Sequence, residues 1–189
     1  MKRIWRGLLL ALLLAALSSS AMAQTFVSEG LCTFTYPDNW EDFGADSSYD
    51  EEGRYYNLGY IGGSRYYDLN VSVDLYYYED FADMRLFSAD SATLRDYAHS
   101  IESSFYEVQS SEIIEAGEYG IPFVVVHGVD QDGECLYANT IANGWCISLC
   151  GFAYADRGYR NLRELTEEDE QVFRAIIESF EPILEGSDS

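Results

Sequence analysis

Lysine is missing from this 189-residue chain except at the second position. Beyond Lys2, Arg3 and Arg6, the basic residues are eight arginines, set against 33 acidic residues. Residues 24–189 therefore carry a formal charge of −25. Such a field repels phosphate backbones and anionic lipid headgroups, so nucleic-acid and membrane-surface roles are disfavoured. A phosphate loop of the G-x-x-x-x-G-K type needs a lysine that this stretch does not hold, which argues against nucleotide chemistry. Histidine is almost as scarce. His99 and His127 stand alone, and no G-x-S-x-G elbow occurs; "GGSR" at 62–65 reads as a hairpin turn. Nucleophilic catalysis needs a base beside the nucleophile, so a Ser or Cys hydrolase is disfavoured, and no catalytic residue is assigned. His127, in an apolar run, reads as a hydrogen-bonded core or sheet-edge histidine.

Long apolar runs are also lacking. The longest, Leu8 to Leu17, is shorter than the ~20 residues that span a bilayer. It follows a basic start and precedes Ala21-Met22-Ala23, a small-x-small cleavage pattern. Residues 1–23 are therefore expected to be an export signal cut between Ala23 and Gln24. The mature chain is then extracytoplasmic, secreted or periplasmic, with no stable membrane insertion. Residues 24–183 are expected to form one domain, and 184–189 a disordered tail.

Four cysteines are present: Cys32, Cys135, Cys146 and Cys150. An exported chain permits disulfides. Cys146 and Cys150 sit ~13 Å apart along one predicted strand, too far to bridge. Asn143-Gly144, read as a tight hairpin, sets Cys150 opposite Tyr137 and diagonal to Cys135. Cys32 reaches either one if its strand lies alongside. At most one bridge is expected, among Cys32, Cys135 and Cys150. The cysteine spacings do not match a zinc motif, so no metal site and no cofactor are expected. "DQDGE" at 130–134 supplies carboxylates, but Gly128 stands where an EF-hand needs an earlier acidic ligand, so the stretch reads as a hairpin turn.

Hydrophobic periodicity divides the rest. A short strand, 31–36, stops at Pro37-Asp38-Asn39. The acidic stretch "DSSYDEEG", 46–53, reads as a mobile loop. Alternating runs at 55–61 and 65–78 flank the "GGSR" turn. With Gly63-Ser64 as the loop, Tyr60 faces Tyr67, Leu58 faces Leu69 and Tyr56 faces Val71, all on the core side. Residues 93–107 fit a helix with Thr93 and Asp96 at capping-box spacing and a stripe of Leu94, Tyr97, Ala98, Ile101 and Phe105. Strands follow near 112–117, at 121–129, at 134–142 and at 145–154. Runs 121–129 and 145–154 are apolar on nearly every residue, as strands covered on both faces are. Thr166 with Asp169 caps a last helix whose stripe is Val172, Phe173, Ile176, Ile177 and Phe180. The pattern predicts an α+β fold: a mostly antiparallel sheet of about six strands with helices on both faces.

Two stretches resemble a known family. "FTYPDNW" at 34–40, an early strand ending in a Pro turn and Trp, is similar to the entry motif of the PsbP-like α/β/α sandwich. "VFRAIIESFEP" at 172–182 looks like that family's closing helix. The resemblance covers about 26–182 and implies the sandwich fold and a mostly non-enzymatic, accessory role. No partner-site residue can be carried over from it, because nothing here matches a partner motif.

Nine of the 16 tyrosines fall between residues 49 and 78, which makes this hairpin the candidate surface. Tyrosine joins rigid contact area to a hydroxyl, at low entropic cost. Its strand propensity is also high, so some of these tyrosines serve the sheet. Tyr56, Tyr60 and Tyr67 are assigned to the core. Tyr55, Asn57, Tyr66, Asp68, Asn70 and Tyr76 are the binding candidates. Their mixture of rings, amides and carboxylates suits a glycan, a peptide or an Arg/Lys-rich partner. The chain is thus expected to be an exported, non-catalytic binding or accessory module. The alternative is an enzyme using paired carboxylates on carbohydrate or cell-wall material, which needs a cleft holding two carboxylates at catalytic separation.

Overall fold

The computed structural model describes residues 22–28, 31–44, 54–63, 69–84, 87–155 and 161–183. Residues 1–21, where the export signal is expected, the acidic stretch 46–53 and the tail 184–189 lie outside the described residues. So do Tyr66, Tyr67 and Asp68.

Two sheets form. The large one holds seven strands in the order β3-β4-β5-β9-β8-β7-β6, every neighbouring pair antiparallel. These are β3 Trp40–Asp42, β4 Tyr55–Gly63, β5 Leu69–Tyr77, β6 Glu107–Ala116, β7 Ile121–Val129, β8 Glu134–Ala142 and β9 Trp145–Ala153. The small one joins β1 Met22–Ser28, β2 Cys32–Pro37 and β10 Glu181–Pro182. The expectation of six strands is therefore corrected. Trp40 carries the chain past the Pro turn and back onto the edge of β4, with Trp40 opposite Gly63. The strand at 32–37 leaves the large sheet for the small one.

Turn chemistry explains the best-defined part. Asn143 and Gly144 both have positive φ, 51° and 80°, which the two-residue hairpin between β8 and β9 requires. The apolar alternation of β7 serves two packing partners. Val124 and Val126 group with Ala98 of helix α1, Ser91–Glu102. Phe123 and Val125 share the main core with Phe173, Ile176, Ile177 and Phe180. These four belong to helix α2, Glu167–Glu178, and the turn after it, and each is at most 1% exposed. Full burial contributes about 1.5–3 kcal/mol for each such side chain. Thr166 caps α2 as the sequence predicts, with its hydroxyl accepting from Asp169 N while the Asp169 carboxylate accepts from Thr166 N at 2.8 Å. Helix α1 starts earlier than expected. Asp90, not Thr93, is its cap, accepting from Ala92 N and Thr93 N at 3.0 and 2.8 Å.

The β4–β5 register also differs from expectation. Tyr60 pairs with Ser72, Ile61 with Val71 and Gly62 with Asn70, not Tyr60 with Tyr67. Gly63 belongs to β4, and the register shifts between Asn57 and Gly59. This bulge changes which face β4 presents along its length. Below it Asn57 lies opposite Asp74; above it Ile61, 0% exposed, takes the core position assigned to Tyr60. Tyr60 is accordingly exposed, at 39%, while Tyr56 stays on the side of its partner Leu75 and is nonetheless 37% exposed. Tyr56 instead meets Trp145 edge-on, as does Tyr77.

Candidate functional site

The even-numbered residues of β5 build the site. Leu69, Val71, Val73 and Leu75 point into the core, so Asn70, Ser72, Asp74 and Tyr76 point to the other face. Register adds their neighbours. Tyr60 and Cys150 flank Ser72, Asn57 and Ser148 flank Asp74, and Tyr55 and Cys146 flank Tyr76.

Asp74 is the hub. It is buried, and three side chains donate to its carboxylate: Tyr55 Oη at 2.7 Å, Asn57 Nδ2 at 2.9 Å and Ser72 Oγ at 2.9 Å. No arginine is needed to hold it, because three donors satisfy a carboxylate where water is scarce. The Tyr55 and Tyr76 rings lie 5.1 Å apart above it. Burial, and then the Asp74 hydrogen bond, push the Tyr55 hydroxyl well above its ordinary range. Burial and the Asp74 charge push Tyr76 up to about 12. Both phenols therefore stay neutral donors at ordinary pH.

Hollows lie on either side of this hub. One, of about 380 Å³, is lined by Phe43, Tyr60, Asn70, Ser72, Cys150, Phe152 and Tyr154. Aromatic rings form its walls, with an amide and a hydroxyl among them. No carboxylate lines it among the described residues. The other, of about 350 Å³, runs between Tyr76 and helix α1, where Tyr97, Asn139 and Cys146 meet through a close Tyr97–Asn139 hydrogen bond.

Among the predicted candidates, Tyr55, Asn57 and Tyr76 gather around Asp74, while Asn70 lies in the neighbouring hollow. Asn57 is 6% exposed and so supports the face from below rather than offering itself to a ligand. Tyr60, Phe152 and Tyr154 line the hollow without being among the predicted binding residues. Tyr60 was misplaced by the register. Phe152 continues the alternation of β9 on the same side as Cys150 and was legible once that strand was assigned.

His127 is held from both sides, its Nε2 3.0 Å from Glu134 and its Nδ1 3.0 Å from Glu170. Burial of Glu134 is outweighed by hydrogen bonds from His127, Leu165 N and Gln109, which hold its carboxyl below the usual range. This is the anchored histidine that its apolar strand implies.

No disulfide joins the four cysteines. Cys32 is fully buried in β2, and burial pushes its thiol up to about 12. Cys150 lies opposite Tyr137 as expected. A hydrogen bond with Cys135, and then burial, raise its thiol well above the ordinary value. "DQDGE" forms the expected turn. Asp130 Oδ1 accepts from Asp132 N and Gly133 N at 2.7 and 3.1 Å, and Asp130 N donates to Gly133 O at 3.0 Å. The second Asp130 oxygen turns towards Cys135, at 3.6 Å from its sulfur.

No protein-family model matches the chain, and no curated protein matches it. Among solved structures it is similar to the solution structure of cyanobacterial PsbP (CyanoP) from Synechocystis sp. PCC 6803. The two are 16% identical, with 87% of this chain and 95% of that one covered and a TM-score of 0.48. No helix among the described residues is long and apolar enough to cross a membrane.

Proposed function

We propose that this chain is an exported, non-catalytic binding or accessory module, an α/β/α sandwich of the PsbP-like kind, whose partner docks on the Tyr-rich face. The observation that carries the reading is the hollow beside Asp74. Its exposed rings, Tyr60 and Phe43 foremost, stand around Asn70 and Ser72 on strands fixed by pairing on both sides. Rigid aromatic walls with a few polar groups are how recognition surfaces are built. Asp74 speaks for the same role. A carboxylate tied to three donors is a positioning group, whereas acid–base work on a glycoside needs two carboxylates facing one substrate. The surrounding charge of −25 favours a protein partner that presents arginine or lysine.

The test is capture with residues 24–189 as bait, against envelope and secreted fractions of the producing organism. A second bait carries Tyr60→Ala, which removes an exposed ring without touching the core. Capture by the native bait and loss with Tyr60→Ala is the expected result. Equal capture by both removes the face assignment. Cleavage of a glycan by the native chain would replace the binding reading with the enzymatic one.

A further inference from the structure

Asp130 of the turn before β8, Cys135 of β8 and Cys150 of β9 bring ligand atoms that all lie within 4.8 Å of one another. We propose that they form a binding site for a borderline-soft divalent cation, zinc in the first instance, with its fourth position open to the aromatic hollow. The proposal does not depend on the docking face described above.

The geometry fits before any metal is added. Tetrahedral zinc with Zn–S of ≈ 2.3 Å and Zn–O of ≈ 2.1 Å sets sulfur and oxygen about 3.6 Å apart, and two sulfurs about 3.8 Å apart. The Cys135 sulfur and the Asp130 oxygen already stand at 3.6 Å. The remaining separations need close by no more than about 1.2 Å to reach the ideal values. Asp130 is aimed. Its other oxygen is fixed by two backbone N–H groups of its own turn, which is the outer-shell support that ligating carboxylates require. Cys135 is 0% exposed, while Cys150 lines the hollow, so one side of the site is dry and one is reachable.

The register favours a metal over a disulfide. Cys150 pairs with Tyr137, which makes Cys135 its diagonal neighbour. Diagonal residues of an antiparallel pair have Cα atoms about 7–8 Å apart, beyond the usual range for a bridge. A cation between the sulfurs spans that gap. Two thiols and a carboxylate supply sulfur and oxygen ligands of the kind zinc takes, and a three-ligand set leaves one position for water. Binding forms two metal–sulfur bonds and one metal–oxygen bond, with the two thiol protons passing to water. The spacing of the cysteines along the chain hid this site, because the third ligand sits in a turn five residues before Cys135.

The experiment titrates cobalt(II) into residues 24–189, reduced and kept free of oxygen, followed by zinc. One equivalent of cobalt with sulfur-to-metal charge-transfer absorption, displaced by zinc, is expected. Cys150→Ser removes most of that absorption, Asp130→Asn weakens binding tenfold or more, and Cys32→Ser changes neither. Should Cys150→Ser fail to fold, zinc must still slow alkylation of Cys150 in the unaltered chain. Cobalt bound without charge transfer, binding indifferent to Cys150→Ser and Asp130→Asn, or a Cys135–Cys150 disulfide in the protein as isolated would each overturn the proposal.

Discussion

Replacing Asp74 separates its role as a hydrogen-bond hub from its role as a charge. Asp74→Ala takes the acceptor from Tyr55, Asn57 and Ser72 at once. Tyr55 and Ser72 are partly exposed and can turn to water, but Asn57 is 6% exposed. Removing the acceptor of a buried donor costs about 1–3 kcal/mol, and hydrogen bonds to a charged group are worth about 1.5–3 kcal/mol. The three bonds share one carboxylate and do not add, so a loss of about 2–4 kcal/mol is expected. At about 2–4 °C per kcal/mol for a chain of this size, Tm falls by roughly 5–15 °C. Asp74→Asn behaves differently. Its carbonyl keeps the Tyr55 and Asn57 donors, and its amide donates to the Ser72 hydroxyl, which can rotate to accept. It also removes one negative charge from a strongly acidic chain. Its stability should stay within about 1 kcal/mol of the parent. Urea unfolding of both variants, with calorimetry for Tm, is the assay. An Asp74→Ala variant as stable as the parent, or an Asp74→Asn variant as damaged as Asp74→Ala, would refute the hub.

Two further outcomes follow from other parts of the fold. Gly117 has φ of 62°, and an added Cβ would stand 2.1 Å from the carbonyl oxygen of Phe180. Gly117→Ala should lower urea stability by at least about 2 kcal/mol, and a loss under 0.5 kcal/mol would contradict that contact. The second outcome concerns acid. Burial of Asp169 is outweighed by Arg163 and by Thr166, which hold its carboxyl below the usual range. Glu134 is lowered too, its burial outweighed by His127 and other donors. Because the folded values lie below the unfolded ones, this stability is full above about pH 5 and is lost as pH falls through the lowered values. Asp169→Asn should therefore flatten the fall in urea midpoint below about pH 5, and a curve parallel to the parent's would contradict it.

The sequence exposed the half of the fold where local signals agree. Strands β7 and β8 lie at 121–129 and 134–142, as read, because strand-forming runs end at turn residues there. Asn143-Gly144 and the Thr166–Asp169 cap work in the same way: each rests on one short-range mechanism. The Tyr-rich hairpin was half legible. Alternation in β5 correctly sorted Val71 and Val73 from Ser72 and Asp74, but pairing with β4 depends on a bulge near Gly59 that no local pattern announces. Tyr60 and Ile61 exchanged faces for that reason. Strand β3 was hidden because three residues are too few to show a period. The meeting of Asp130 with Cys135 and Cys150 depends on two registers and a turn, so it appears only when the sheet is assembled.

The central claim is that the face carrying Tyr60 receives the partner. Hydroxyl-radical footprinting of the captured complex reads this directly, side chain by side chain. Tyr60 is 39% exposed in the free chain, while Tyr106 and Tyr119, outside that face, are 80% and 48% exposed and serve as internal references. The partner should shield Tyr60, together with Phe43, from oxidation and leave Tyr106 and Tyr119 reactive. Shielding of Tyr106 or Tyr119 with Tyr60 unchanged would place the interface elsewhere and contradict it.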